Sequence, residues 1–215
     1  MTYKPDAELP RQSLLPYYAA AAAACGLALL LGYAHIRPAR GIFRELSAIS
    51  AMAGYVLVLL QLAVPPAWLA RRVGAESAAR LRCMCSITAL ILVVAHPLLM
   101  AMPTLLTSPA QGLSVLWKLF SYEGLRSGVA TWILAIFLLV LTLRRGGGAP
   151  AWPNWIVAGL GIAIAALGIH HALRAAHYGA GWALIILWIG LTVAALAAVL
   201  YERVIAPLRG QHPKT

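Results

Sequence analysis

The side chain in the least expected setting is His96, near the far end of the apolar run from Ser86 to Met100. An ionisable group inside such a run is costly to bury in a bilayer, so it reads as a functional site whose partner must be found. His170 and His171 are the partner candidates, close to the end of a second long apolar run, Trp155 to Leu173. Read as helices running in one direction, the two runs place these histidines about 14 to 16 residues from their starts, or roughly 21–24 Å. Two neutral imidazoles at one depth suit the two axial positions of a haem iron. Such an iron is six-coordinate, low-spin and fitted to electron transfer, with no open position for oxygen or substrate. His170 and His171 point about 100° apart on a helix, so only one of them can face His96. His171 is the first choice and His170 the alternative. The competing reading has these histidines bonded to carbonyls of neighbouring helices or lining a polar cavity. His35, His177 and His212 fall in loops or a tail and read as solvated.

Two further residues join the candidate site. Gly168, one turn before His171, offers clearance for a flat macrocycle, whereas Gly159 and Gly161 read as helix-packing positions. Arg174, three residues after His171, could hold a haem propionate through paired hydrogen bonds or reach to a lipid headgroup. Cys25, Cys83 and Cys85 form no disulfide framework, being odd in number. The thiols of Cys83 and Cys85 would stand about 200° apart around a helix, a poor chelate for one metal.

The elements that must carry these residues are membrane helices. The chain has 215 residues, of which 62% are hydrophobic and 11% charged, with a mean hydropathy of +0.82. A soluble domain is nearer 45–50% apolar and about 25% charged. A span takes about 20 mainly apolar residues, so six spans with short connections use up this length. The expected fold is an all-α integral membrane protein, a six-transmembrane-helix bundle, leaving no room for a soluble catalytic domain. Residues 1–16 read as a cytoplasmic tail, 17–208 as the membrane domain and 209–215 as a second cytoplasmic tail. The formal charge of +11 belongs to loops rather than to a nucleic-acid surface, because no basic run exceeds a pair and nucleic acid calls for a clustered stripe.

The apolar runs fall at about 17–34, 46–69, 81–102, 127–143, 155–175 and 182–201. The first competes with a signal peptide, but the long preceding region with two acids and the lack of a clean cleavage site favour a retained helix. Between the third and fourth runs, Leu113 to Phe120 is amphipathic and predicted to lie on the membrane surface. Trp68, Trp152, Trp155 and Trp182 stand near span ends, where interfacial aromatics belong. Six spans put both termini on one side with 11 Lys and Arg, against 6 on the other. The positive-inside rule then makes the termini cytoplasmic and places the histidines towards the outer face.

The chain resembles the ferric reductase-like transmembrane domain family, which includes ferric reductases, NADPH oxidases and the haem subunit of the bacterial periplasmic methionine sulfoxide reductase system. The matching stretches are Glu45 to Gln61, the basic connection Ala70 to Gly74, Ala95-His-Pro-Leu-Leu99, His171-Ala-Leu173 and Tyr201 to Leu208. The likeness covers most of the chain from the first span onward. It implies b-type haem, electron transfer and, for this type of subunit, the bacterial inner (plasma) membrane. Family members typically stack two haems, using two histidines thirteen or fourteen residues apart on each of two spans. Here Arg82 stands fourteen residues before His96 and Ala158 thirteen before His171, so the resemblance implies a member that keeps the outer pair and lacks the inner one.

The expected function is a one-haem membrane cytochrome with its haem b between His96 and His171 or His170. It would pass single electrons from a quinol or a separate reductase to ferric iron or a periplasmic redox partner. Acid–base catalysis is not indicated, and no span core carries Asp or Glu. The rivals are a haem-free member of the family acting as a membrane assembly protein, and a small transporter.

Overall fold

The computed structural model describes residues 13–33, 41–64, 66–122, 125–145, 154–174, 181–201 and 205. Among them the chain is all-helical, with α1 Leu15–Tyr33, α2 Ile42–Ala63, α3 Pro66–Val73, α4 Ala75–Thr107, α5 Pro109–Ser121, α6 Arg126–Arg145, α7 Asn154–Arg174 and α8 Trp182–Leu200. Among the described residues α1, α2, α4 and α8 are long and apolar enough to cross a membrane; α6 and α7 contribute shorter apolar stretches, Arg126–Leu138 and Gly159–Arg174. The molecule is built as an integral membrane protein.

Two boundaries differ from the sequence reading. The second apolar run breaks at Val64, whose extended backbone (φ −95°, ψ 109°) ends α2. The residue before a proline is pushed out of the helical region, and Pro65 follows. The chain restarts as α3, which carries Trp68, Arg71 and Arg72. The Arg72 guanidinium lies 5.6 Å over the Trp68 ring, and Tyr17 meets the same ring edge-on. The third run is instead longer than expected. α4 begins six residues earlier than its apolar part, in a charged turn closed by the exposed Arg80–Glu76 pair, and continues through Pro97 and Pro103. The amphipathic run from Leu113 to Phe120 is helical, within α5, with Leu113 and Trp117 exposed.

α2 is the central helix and packs against α1, α4, α7 and α8. Gly54 permits its approach to α4: a β-carbon there would lie 3.1 Å from the Leu92 side chain and from the Val93 backbone nitrogen. α6 bridges α4 and α7 from the other side. Among the described residues the backbones of α4 and α7 stay more than 8 Å apart, as do those of α2 and α6. The four helices α2, α4, α6 and α7 thus follow one another round a ring, with α4 and α7 at opposite corners.

Two apolar clusters hold this arrangement. One joins Met52, Tyr55 and Leu59 of α2 to Ala165 of α7 and to Leu184 and Trp188 of α8. Tyr55 is its hinge: the ring packs edge-on against Trp188, and the hydroxyl donates to the Ala165 carbonyl at 3.0 Å and lies 3.3 Å from the Thr192 hydroxyl. The second cluster takes a residue from every helix of the ring: Val58, Ala89 and Leu90, Ala135, and Ile164. It closes the middle of the ring and forms a floor beneath the histidines.

Candidate functional site

Helix geometry above this floor fixes the depth of the site. His96 lies seven residues beyond Ala89, His171 seven beyond Ile164, and Gly128 seven before Ala135. Because α6 runs against α4 and α7, all three steps lead to the same end of the bundle, and each rises about 10.5 Å. His96 and His171 therefore stand level, on diagonally opposed helices, and their imidazoles are within electrostatic reach of each other.

His96 is held by α2. Ser47, a fully buried residue, donates its hydroxyl proton to the His96 carbonyl at 2.9 Å, and its oxygen lies 2.8 Å from His96 Nδ1. The Ser47 carbonyl is 3.0 Å from the same nitrogen. A carbonyl can only accept, so Nδ1 carries the ring proton and Nε2 keeps its lone pair. Metal-binding histidines are oriented in this way, with the non-ligating N–H given to a carbonyl. Pro97 removes a backbone donor from this stretch of α4. Neighbouring side chains brace it: Ser47 on the His96 carbonyl, and Trp132 of α6, whose Nε1 donates to the Val94 carbonyl at 3.1 Å.

His171 rests on α6. A β-carbon at Gly128 would lie 2.6 Å from its Cε1 and Nδ1, so the glycine supplies the seat for the ring. His171 Nδ1 is buried and has no hydrogen-bond partner among the described residues. An orphaned buried ring nitrogen needs an explanation such as a missing ion or cofactor. His170 is exposed on the outside of α7, and Arg174 is exposed in its last turn. Of the two, His171 is the one turned into the bundle. At Gly168 the space of the missing side chain is taken by Tyr55, whose ring would lie 2.7 Å from an added β-carbon. His35, His177 and His212 lie outside the described residues.

One carboxylate belongs to this end. Glu45, in the first turn of α2, accepts a hydrogen bond from the Tyr33 hydroxyl at the end of α1, and its second oxygen is buried with no hydrogen-bond partner among the described residues. Among the described residues no three His, Cys, Asp or Glu side chains gather as a metal cluster. What the site offers is two opposed imidazoles, one oriented and one with an orphaned nitrogen. That donor set fits the axial positions of a haem iron. Sequence reasoning missed Ser47, Gly128 and Trp132. The only trace of Ser47 was a hydroxyl recurring with Ser50 inside an apolar helix, and Gly128 gave no signal at all.

Compared with known protein families, with curated proteins and with solved structures, the chain matches none. Its function must be read from its own residues.

Proposed function

We propose that this chain is a six-span membrane cytochrome holding one b-type haem between His96 and His171, close to the outer face of a bacterial inner membrane. In this reading α6 and α7 are spans alongside α1, α2, α4 and α8, and both termini are cytoplasmic. The observation that carries the reading is the level, diagonal placement of two imidazoles above a common apolar floor. The His96 ring is oriented by Ser47 through its Nδ1.

A haem bound there would supply reversible one-electron chemistry at iron, and two imidazole ligands favour transfer over oxygen binding. The chain's own part is positional. Ser47 fixes the rotation and tautomer of His96, and Gly128 leaves room for His171 to stand against α6. The floor of Val58, Ala89, Leu90, Ala135 and Ile164 keeps water from the opposite half. Arg174, exposed at the end of α7, serves a propionate or a lipid phosphate. The electron donor is a membrane quinol or a separate reductase. The acceptor lies on the outer side, as ferric iron or a periplasmic redox protein.

The test is pyridine haemochrome quantitation on protein purified after expression with ample haem. About one haem b per chain supports the reading. Two per chain, or none in folded protein, contradicts it.

A further inference from the structure

The end of the molecule away from the histidines carries an apolar slot and a collar of arginines, neither of which haem ligation uses. The slot lies between α1, α2, α3 and α4 and has a volume of about 100 Å³. Along α2 it runs from Val64 to Leu57, seven residues or about 10 Å. Ala20 and Ala21 of α1 wall it on one side and Leu81 of α4 on another. The polar side chains at its edge are engaged with neighbours. Gln61 bonds to Ser86 at 3.5 Å and to Cys85, and Arg82 Nη1 donates to the Val64 carbonyl at 2.7 Å. What is left facing the slot is apolar and narrow. A methylene chain suits such a space, and a group that needs hydrogen-bond partners does not.

The arginines gather where the slot meets the end of α2. Arg82 is itself one of the lining residues. Arg71 and Arg72 are exposed in the last turn of α3. Arg72 lies 5.6 Å over the Trp68 ring, and Trp68 in turn meets the ring of Tyr17, another lining residue. α3 buries Leu69 and Val73 and carries Trp68 at the level where interfacial aromatics sit among head groups. Among the described residues the carboxylate at this end is Glu76, and it is taken by Arg80. The collar therefore keeps its positive charge. Guanidinium groups pair with phosphate oxygens, and basic pockets between membrane helices hold anionic head groups. A lipid tail gains little from a wall no more apolar than the bilayer. The slot thus sets the position of a lipid, and the arginines supply the preference for charge.

We propose that the slot between α1, α2 and α4 takes one acyl chain of an anionic phospholipid, whose phosphate is held by Arg82 and Arg72. Binding there is independent of the haem reading.

The experiment is native mass spectrometry of the detergent-solubilised full chain, titrated with phosphatidylglycerol and with phosphatidylcholine of the same acyl chains. A phosphatidylglycerol with a diazirine in its acyl chain maps the slot by photocrosslinking. The expected result is one phosphatidylglycerol bound about 10- to 30-fold more tightly than phosphatidylcholine, with crosslinks in α1 around 17–21 and in α2 around 57–61. Arg72→Gln should reduce the preference about fivefold, the usual share of one arginine at a membrane surface. Arg80→Gln, whose charge is already paired with Glu76, should leave it unchanged. Ala21→Phe fills the slot and should abolish the crosslinks to α2. If that variant does not fold, the wild-type crosslinks and Arg72→Gln decide the matter. His96→Ala should leave binding intact, which separates this site from the haem. Equal binding of the two lipids, crosslinks spread evenly over the lipid-facing helices, or a preference unchanged in Arg72→Gln overturns the proposal. So does release of the bound lipid by inorganic phosphate, which would make the site one for the free anion.

Discussion

The Ser47 side chain is joined to His96 twice across the α2–α4 interface, once through the imidazole Nδ1 and once through the His96 carbonyl. One small side chain thus sets both the ring and the helix that carries it. Ser47→Ala removes both bonds and leaves the Ser47 main-chain carbonyl as the remaining acceptor for Nδ1. We predict a stability loss of about 1–3 kcal/mol and haem affinity lower by about 10- to 100-fold, the usual cost of deleting a group that orients a metal ligand. Thermal unfolding and haem titration measure the two effects separately.

Gly128→Ala should act on the other ligand. Its new methyl would meet the His171 ring at 2.6 Å, and the overpacking costs about 1–3 kcal/mol along with haem retention. Gly190 of α8 is the control, because nothing lies within 4 Å of a β-carbon there. Gly190→Ala should change the melting temperature little, its effect being within about 1 kcal/mol in the stabilising direction.

Tyr55 and Gly168 test the packing without touching the ligands. Tyr55→Phe removes the donor to the Ala165 carbonyl and should cost about 0.5–1.5 kcal/mol. Gly168→Ala drives a methyl into the Tyr55 ring and should cost about 1–3 kcal/mol. Both variants are expected to keep their haem content per folded chain, which haem-to-protein ratios after purification will report.

Topology can be checked with fusions to the C-terminus. Six spans and cytoplasmic termini predict a fluorescent green fluorescent protein fusion and an inactive alkaline phosphatase fusion. The opposite pattern would place the histidines towards the cytoplasm.

Much of the fold was legible because apolar length and prolines determine membrane helices so directly. The helix α5 showed in its amphipathic run, and the level of His96 and His171 follows from counting residues along two parallel helices. The break at Val64 was harder to see. Apolar residues continue across Pro65 and Pro66, and hydropathy does not register a missing N–H. Which of His170 and His171 is turned into the bundle could not be read from spacing, since it depends on how α7 is rotated. That rotation is set by Tyr55 against Gly168 and by Gly128 beneath His171, contacts between residues far apart in the chain. Ser47 was hidden for the same reason: a serine in an apolar helix commonly bonds back within its own turn, as Ser50 does to Leu46.

The measurement that bears most directly on the central claim is a dithionite-reduced minus oxidised absorption spectrum of the purified protein beside its His96→Ala, His171→Ala and His170→Ala variants. Paired imidazole ligation predicts sharp reduced α and Soret bands in the wild type and in His170→Ala, and their loss in His96→Ala and His171→Ala. A folded wild-type protein without these bands, or bands that persist unchanged when both His96 and His171 are replaced, would contradict the account.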